Sequence, residues 1–315
     1  MRTLTIGQRV INDESPCYVI SELGHNHGGN VQTACDMIRI AKACGADAVK
    51  LQKRDNATLY SKAILDQPYE NEHSFGATYG EHRAALEFDR QAYVTCQDEA
   101  DRSQVQFFAT AFDEPSVDFL MALGVPALKI ASGGLTDHAL LAYAASARVP
   151  VVLSTGGGTL CAIDQAVNVI ARVHSALAIL HCTAAYPVRD FSELNLSCIE
   201  TLRANYPECV IGWSGHDYGI AMSLVAYTMG ARILERHFTL NRANKGTDHA
   251  FSLEPAGLTK LCRDLSRAHV ARGDGIKRYY PSEVAPIAKM RRRDTPEGLI
   301  ITGAKDDIDR VTSAH

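Results

Sequence analysis

Eight short apolar segments recur along the chain, and each is followed by a stretch with the residue spacing of a helix. Their apolar runs are continuous, as is typical of strands buried on both faces. The stretches between them, such as VQTACDMIRIAKACGA, place apolar residues at helical spacing and stop at Gly-Ala. A β-then-α unit repeated eight times predicts an α/β fold, the (β/α)8 TIM barrel, with a doubly wound sheet as the structural alternative. The apolar segments span residues 17–24, 47–53, 105–113, 127–134, 151–158, 177–183, 209–217 and 232–239.

The two ends of the chain lie outside this repeat. Residues 3–11, TLTIGQRVI, predict a short N-terminal β-hairpin with a Gly-Gln turn at its middle. We predict that residues 1–285 form the barrel catalytic domain and that residues 286–315 are a linker-like C-terminal tail.

Composition and charge exclude several classes of protein. A net charge of −4 gives no basic surface that would favour nucleic acid. No run approaches the roughly 18 apolar residues of a membrane span, and the N-terminus lacks the apolar core of a signal peptide. Nine cysteines without regular pairing indicate reduced thiols. These features predict a cytoplasmic protein without nucleic-acid or membrane partners.

Polar residues occupy the end of every predicted strand. In a (β/α)8 barrel the carboxyl ends of the strands meet at one mouth, where catalysis takes place. Eight strand ends of this kind favour an enzyme over a binding or scaffold barrel. The residues are Glu22, Lys50, Thr110, Lys129 with Ser132, Ser154, His181 with Thr183, Ser214 with His216, and His237.

Lys50 and Lys129 lie inside apolar strands, where an unpaired cation costs several kcal/mol. They favour an anion-binding cradle for a phosphate and a carboxylate, assisted by nearby hydroxyls and by glycine-rich backbone. A structural ion pair is one alternative. A Schiff-base lysine is another, because a buried lysine can have a lowered pKa.

Histidines suggest two candidate metal sites. His216 and His237 end neighbouring strands and are suited to a divalent metal, although a strand-end histidine is often structural. His25 and His27, in the segment ISELGHNHGG, resemble metal ligands but alternate within a glycine-containing loop. The long insertion at residues 68–88 is typical of a lid or an oligomer contact.

The ordered motifs resemble the sialic acid synthase (N-acetylneuraminate synthase) family over about residues 10 to 292. TYGEHR and SGHDYGIA are more similar to its animal-type branch than to the common bacterial one. The motifs are SELGHNHGG, VKLQK, TYGEHRAALEF, LKIASG, LSTGG, HCTAAYP, GWSGHDYGIAMS and LERHFTLNRANKGTDHAFSLEP.

The resemblance implies a homodimeric, metal-dependent transferase that condenses phosphoenolpyruvate with an N-acetylated hexosamine to a nine-carbon 2-keto-3-deoxy acid. Two lysines and several hydroxyls would balance the charge of phosphoenolpyruvate. Position by position, the resemblance implies that phosphoenolpyruvate binds to Lys50, Thr110, Lys129, Ser132, Ser154, Tyr186 and Ser214. It implies that Mn²⁺ or Mg²⁺ binds to His216 and His237, that the acceptor contacts Glu22, Asn26 and Asp248, and that Glu22, Lys50, Lys129 and His237 are catalytic.

Three departures from the family concern the acceptor. Members usually continue into an antifreeze-like domain that supplies an arginine across the dimer, and the residues after 293 are too few for one. Gly134 stands where an acid is typical, and Ala184 where Asn or Ser is frequent. We therefore expect an acceptor other than N-acetylmannosamine. The arginines near the mouth loops that could replace the missing one are Arg54, Arg83 and Arg189.

Three rival functions remain open at this point. The first is the same chemistry on a non-N-acetylated or phosphorylated aldose. The second is a metal-independent Schiff-base aldolase that uses Lys50 or Lys129. The third, a degenerate barrel kept for partner binding, predicts lost cradle residues, and none of the matched anion positions is lost.

Overall fold

The computed structural model of the chain describes residues 2–303, and its centre is a closed barrel of eight parallel strands. All eight predicted apolar segments form these strands, so the (β/α)8 fold is confirmed. The last barrel strand pairs with the first, with His237 opposite Glu22. The barrel strands are β3 (Tyr18–Gly24), β4 (Ala48–Lys53), β5 (Gln106–Ala111), β6 (Leu128–Ile130), β7 (Val151–Ser154), β8 (Leu177–Cys182), β9 (Val210–Gly215) and β10 (Ile233–His237).

Helices connect the strands and cover the outside of the barrel. Several begin at a side-chain cap in the loop that follows a strand: Asn30 caps α1, Asp113 caps α6 and Thr159 caps α8. The helices are α1 (Val31–Ala43), α2 (Asn56–Leu59), α3 (Lys62–Leu65), α4 (Tyr79–Leu86), α5 (Arg90–Ser103), α6 (Glu114–Leu123), α7 (His138–Ser146), α8 (Leu160–Ala171), α9 (Cys198–Asn205), α10 (Ala221–Thr228) and α11 (Pro255–Arg272). Among residues 2–303, no helix combines the length and apolar character needed to cross a membrane.

The predicted N-terminal hairpin is present as β1 (Thr3–Ile6) and β2 (Arg9–Asn12). Its turn contains Gly7 at a φ of +57°, a conformation that glycine adopts without strain. A Cβ on Gly7 would overlap the side chain of Gln106, which begins β5. The hairpin therefore packs against the amino-terminal ends of the strands, opposite the mouth.

We expect Arg203→Ala to lower the free energy of unfolding by about 1–2 kcal/mol, because it removes hydrogen bonds that fasten the hairpin. Arg203 Nη1 donates to Asp13 Oδ1 at 2.7 Å and to the Gly230 carbonyl at 2.9 Å. Urea denaturation measures the change. The matched control is Arg148→Ala, and an equal loss in both variants would contradict the assignment.

A second compact unit begins at Val270, and the structure describes it as far as residue 303. Within its described part lie α12 (Val284–Met290) and an antiparallel pair formed by β11 (Arg292–Thr295) and β12 (Gly298–Ile301). The division of the chain into a domain of residues 1–285 and a tail of residues 286–315 stays a prediction, and residues 304–315 lie outside the described residues.

Candidate active site

A cavity of about 380 Å³ opens at the carboxyl ends of the barrel strands. All the predicted site residues except Asn26 line it, which places these scattered sequence positions around one space. The lining residues predicted from the sequence are Glu22, Lys50, Thr110, Lys129, Ser132, Ser154, Tyr186, Ser214, His216, His237 and Asp248.

Four charged side chains form a buried network at the base of the cavity. Lys50 makes an ion pair with Glu22 and donates to Thr110 Oγ1 at 2.7 Å. Glu235 lies between the two lysines, 3.9 Å from Lys50 Nζ and 4.0 Å from Lys129 Nζ. The ion pairs given as an alternative are therefore present, and anion binding by the two lysines stays a prediction.

Glu235 is a residue that the sequence reasoning missed. It precedes His237 by two positions on β10, so both side chains project to the same face of the strand. Burial opposes its ionisation, but the charges of Lys129 and Lys50 outweigh burial and lower the pKa of Glu235 to about 2. The two lysines are thus already balanced by Glu22 and Glu235, and a strongly anionic ligand requires positive charge from elsewhere.

Hydroxyl groups of three serines surround this network. Ser154 Oγ is buried and has no hydrogen-bond partner among residues 2–303, whereas Ser214 Oγ donates to Glu235 Oε1 at 3.2 Å. Ser132 lies in a short 3-10 turn after β6 and not in the strand, because the strand ends at Ile130. Its Oγ accepts from the Gly156 amide at 2.9 Å.

His216 and His237 meet at the mouth with ring centroids 5.3 Å apart. Burial, followed by the nearby His237, lowers the pKa of His216 to about 3, so its imidazole is neutral. Its Nδ1 lies 3.1 Å from the Thr183 carbonyl, which can only accept a hydrogen bond, so Nδ1 carries the single proton of the neutral ring. Nε2 then has no proton and is an acceptor. His237 Nδ1 is buried without a hydrogen-bond partner in the described chain and lies 3.5 Å from Asp248 Oδ2.

Within residues 2–303, no three His, Cys, Asp or Glu side chains form a complete metal cage. The donor chemistry of the histidine pair nevertheless fits a divalent metal. One ring has a free Nε2 with its tautomer held by a backbone carbonyl, and the other has an unpartnered buried nitrogen.

The predicted loop residues after β3 separate into different roles. Asn26 Nδ2 donates to the Phe238 carbonyl at 2.8 Å and to Ser252 Oγ at 2.9 Å, so it ties this loop to the segment after β10. Asn26 lines a smaller neighbouring cavity of about 60 Å³. His27 packs on Phe88 with ring centroids 4.1 Å apart and accepts from the Gly29 amide.

His181 was expected among the chemical groups at the strand ends, and this expectation is wrong. Its side chain projects to the outside of the barrel, where Nε2 lies 2.7 Å from the Leu194 carbonyl. Since successive side chains in a strand alternate in direction, the next residue, Cys182, lines the cavity instead.

Two of the three arginines proposed near the mouth line the cavity, namely Arg54 and Arg83, whereas Arg189 does not line it. Arg54 follows β4 and is 6% exposed. Tyr186 stands at the opposite part of the rim, half of its surface exposed, with its ring 4.3 Å from that of His216.

Parallel strands closed into a barrel, with buried lysines, carboxylates and imidazoles gathered at one mouth, define a (β/α)8 enzyme. The model of the NeuB family matches residues 37–277, and the chain belongs to this family. Like its named relatives, it is a transferase that forms a C–C bond with phosphoenolpyruvate and produces a keto-deoxy sugar acid.

Two sequence relatives and one solved structure match most of the chain. N-acetylneuraminate-9-phosphate synthase of Homo sapiens is 37% identical, with 93% of this chain and 83% of the relative covered. N,N'-diacetyllegionaminic acid synthase of Legionella pneumophila is 33% identical, with 93% and 84% covered. The crystal structure of an N-acetylneuraminic acid synthetase from Leptospira borgpetersenii in complex with citrate is 32% identical and superposes with a TM-score of 0.79, covering 91% of this chain and 95% of that one.

Proposed function

We propose that the protein condenses phosphoenolpyruvate with an aldose to give a sialic-acid-like 2-keto-3-deoxy acid and phosphate, with a divalent metal, Mn²⁺ or Mg²⁺. The observation that carries this proposal is the buried network of Lys50, Glu22, Glu235 and Lys129 beside His216 and His237. A homodimer is also proposed, on the resemblance alone, and a location in the cytoplasm is proposed on the composition and the irregularly spaced cysteines.

Phosphoenolpyruvate would bind at the base of the cavity. Lys50 and Lys129 supply charge-assisted donors, and the unpartnered hydroxyl of Ser154 supplies another. The remaining hydroxyl groups assigned to this substrate are those of Thr110, Ser132, Tyr186 and Ser214. Because Glu22 and Glu235 already balance the lysines, the full charge of phosphoenolpyruvate also calls for a cation at the mouth.

His216 would hold that divalent metal through Nε2, and His237 through a ring nitrogen, its buried Nδ1 having no partner among residues 2–303. When bound, it supplies a Lewis acid that polarises the acceptor aldehyde and orients water. Asp248, which reaches within 3.5 Å of His237, would hold hydroxyl groups of the acceptor. Asn26 would contribute to acceptor binding by fixing the loop beside it.

Glu22 would accept the proton of the attacking water. Carbon 3 of phosphoenolpyruvate attacks the aldehyde carbon, so the aldehyde oxygen becomes an alkoxide and carbon 2 becomes electron-deficient. Water adds at carbon 2 and gives one proton to Glu22, which lies beside both His237 and Lys50 in the barrel register, and this proton then passes to the alkoxide. The tetrahedral intermediate breaks the bond between carbon 2 and the phosphate oxygen, and the remaining hydroxyl proton leaves with the phosphate, which forms the ketone.

A phosphorylated aldose is the second candidate acceptor. The human relative, 37% identical, is named for a 9-phosphate product, whereas the Legionella relative is named for a product without phosphate. A nine-carbon acid built from three carbons of phosphoenolpyruvate and six of the aldose takes its ninth carbon from the end of the aldose remote from the aldehyde.

The test of this function is phosphate release from phosphoenolpyruvate with Mn²⁺ and a panel of aldoses, with and without N-acetyl and phosphate groups. We expect release that depends on the aldose and stops on chelation of the metal. The Schiff-base alternative involving Lys50 or Lys129 is separated by borohydride reduction with pyruvate. Covalent labelling of a lysine, or no release with any aldose, would overturn the proposal.

A further inference from the structure

Two arginines at the rim of the cavity are held in place by neutral groups. Arg54 Nη2 donates to Gln52 Oε1 at 2.7 Å and Nη1 donates to His25 Nε2 at 3.1 Å, while its guanidinium stacks 3.6 Å from the Phe112 ring centroid. Its Nε is buried without a partner among residues 2–303. Arg83 directs Nε and Nη2 to the Tyr79 hydroxyl at 2.8 and 2.6 Å.

Neither arginine forms a salt bridge with a carboxylate in the part of the chain that the structure describes. Glu87, an acid whose charge acts on Arg54, pairs with Lys53 Nζ at 2.6 Å and accepts from the Arg54 backbone amide at 3.2 Å. Burial, followed by the charge of Arg83, lowers the pKa of Arg54, so the two cations repel each other. Two adjacent guanidinium groups without an acid, one of them buried, require an anion that the chain itself does not supply.

The position of these arginines separates them from the phosphoenolpyruvate cradle. Every second position along β4 and the residue after it points to the cavity. These positions hold Lys50, Gln52 and Arg54, and all three line the cavity. At about 3.3 Å per residue, the backbone of Arg54 lies roughly 13 Å farther along the strand toward the mouth than that of Lys50. A sugar therefore fits between the lysines at the base of the cavity and the arginines at its rim.

We infer that Arg54 and Arg83, oriented by His25 and Tyr79, form a second anion subsite that binds a phosphate monoester on the aldose, at the end remote from the aldehyde. A phosphate dianion matches two guanidinium groups in charge and accepts from both in the fork geometry that arginine prefers. The inference rests on the proposed function, because it assigns the acceptor of that same site.

The test compares Arg83→Met and Arg54→Met in steady-state turnover of N-acetylmannosamine and of its 6-phosphate, with Arg242→Met as the matched control. Arg242 lies in a rim loop, pairs with Glu254 and does not line the cavity. Since a hydrogen bond to a charged group contributes about 1.5–3 kcal/mol, we expect each variant to lose roughly 10- to 150-fold in kcat/KM for the phosphorylated sugar only. Arg83 is half-buried, so Arg83→Met decides the question if Arg54→Met fails to fold.

The outcomes separate this inference from the proposed function. The subsite would be overturned if the wild-type enzyme did not prefer the phosphorylated sugar, or if the arginine variants lost kcat/KM equally for both sugars. It would also be overturned if the variants bound phosphoenolpyruvate more weakly but kept the wild-type preference between the two sugars. If no aldose reacts, the proposed function fails, and calorimetry with the sugar 6-phosphate decides the subsite alone. The subsite is supported if the wild-type protein binds the sugar 6-phosphate and Arg83→Met binds it more weakly. It is overturned if the wild-type protein does not bind the sugar 6-phosphate, or if the variant binds it equally well.

Discussion

Replacing Glu22 by Gln should strongly lower the turnover of phosphoenolpyruvate while leaving its binding largely intact. Glu22 is 1% exposed, pairs with Lys50 and accepts from Gln52 Nε2 at 2.8 Å. A glutamine has the same size and keeps an oxygen for Lys50, but it cannot take a proton from water. Because a positioned acid or base contributes about 10²–10⁴-fold to a rate, we expect kcat to fall by that factor.

Single-turnover phosphate release measures the rate, and calorimetric titration with phosphoenolpyruvate measures binding. The matched control is Glu208→Gln, a substitution at an exposed glutamate far from the mouth in sequence and fold. Full activity of the Glu22 variant would remove this carboxylate from the mechanism. A loss confined to binding would assign it to substrate affinity alone.

The barrel could be predicted because its strands are buried on both faces and therefore appear as uninterrupted apolar runs. In several cases the predicted segment extends beyond the end of the strand in the structure. The segment predicted at residues 127–134 forms a strand only over Leu128–Ile130, since the following Ser and Gly residues turn away as a 3-10 helix. Glycine and serine after an apolar run mark a turn more often than a strand.

The direction of each side chain was harder to predict. A strand that is apolar throughout carries no alternation, so its sequence does not tell which residues face the barrel axis. This is why His181 was assigned to the mouth while Cys182 occupies it. One charged residue resolves the ambiguity: Lys50 must face the interior, and positions 52 and 54 then share its direction.

The same argument applies to Glu235. Glu235 stands in the segment LERHF, two residues before His237, so both side chains are expected on the same face of the strand. What the sequence does not contain is its distance to Lys50 and Lys129, which come from strands on other sides of the closed barrel. The resemblance to a family located the lysines and histidines but did not include the acid that balances them.

Replacing Glu235 by Gln should lower the free energy of unfolding by about 3–5 kcal/mol at neutral pH, because breaking a buried pair leaves an uncompensated charge on Lys129. Lys129 keeps only the Ile130 carbonyl, 3.0 Å away, as a close partner in the described chain. Urea denaturation gives the loss. The double variant Glu235→Gln, Lys129→Met should be more stable than the single variant, by an interaction energy of about 1–3 kcal/mol.

The pH dependence of this loss has a defined sign. The pKa of Glu235 falls from 4.5 to about 2 on folding, so its stabilising effect is complete above pH 4.5 and disappears as the pH falls through 2. The difference in unfolding free energy between wild type and the single variant should therefore become smaller as the pH falls from 5 toward 2. The other carboxylates are present in both proteins, so their titration does not contribute to this difference. A difference below about 1 kcal/mol at pH 7, or one that does not narrow in acid, would show that Glu235 is not the counter-charge of the two lysines.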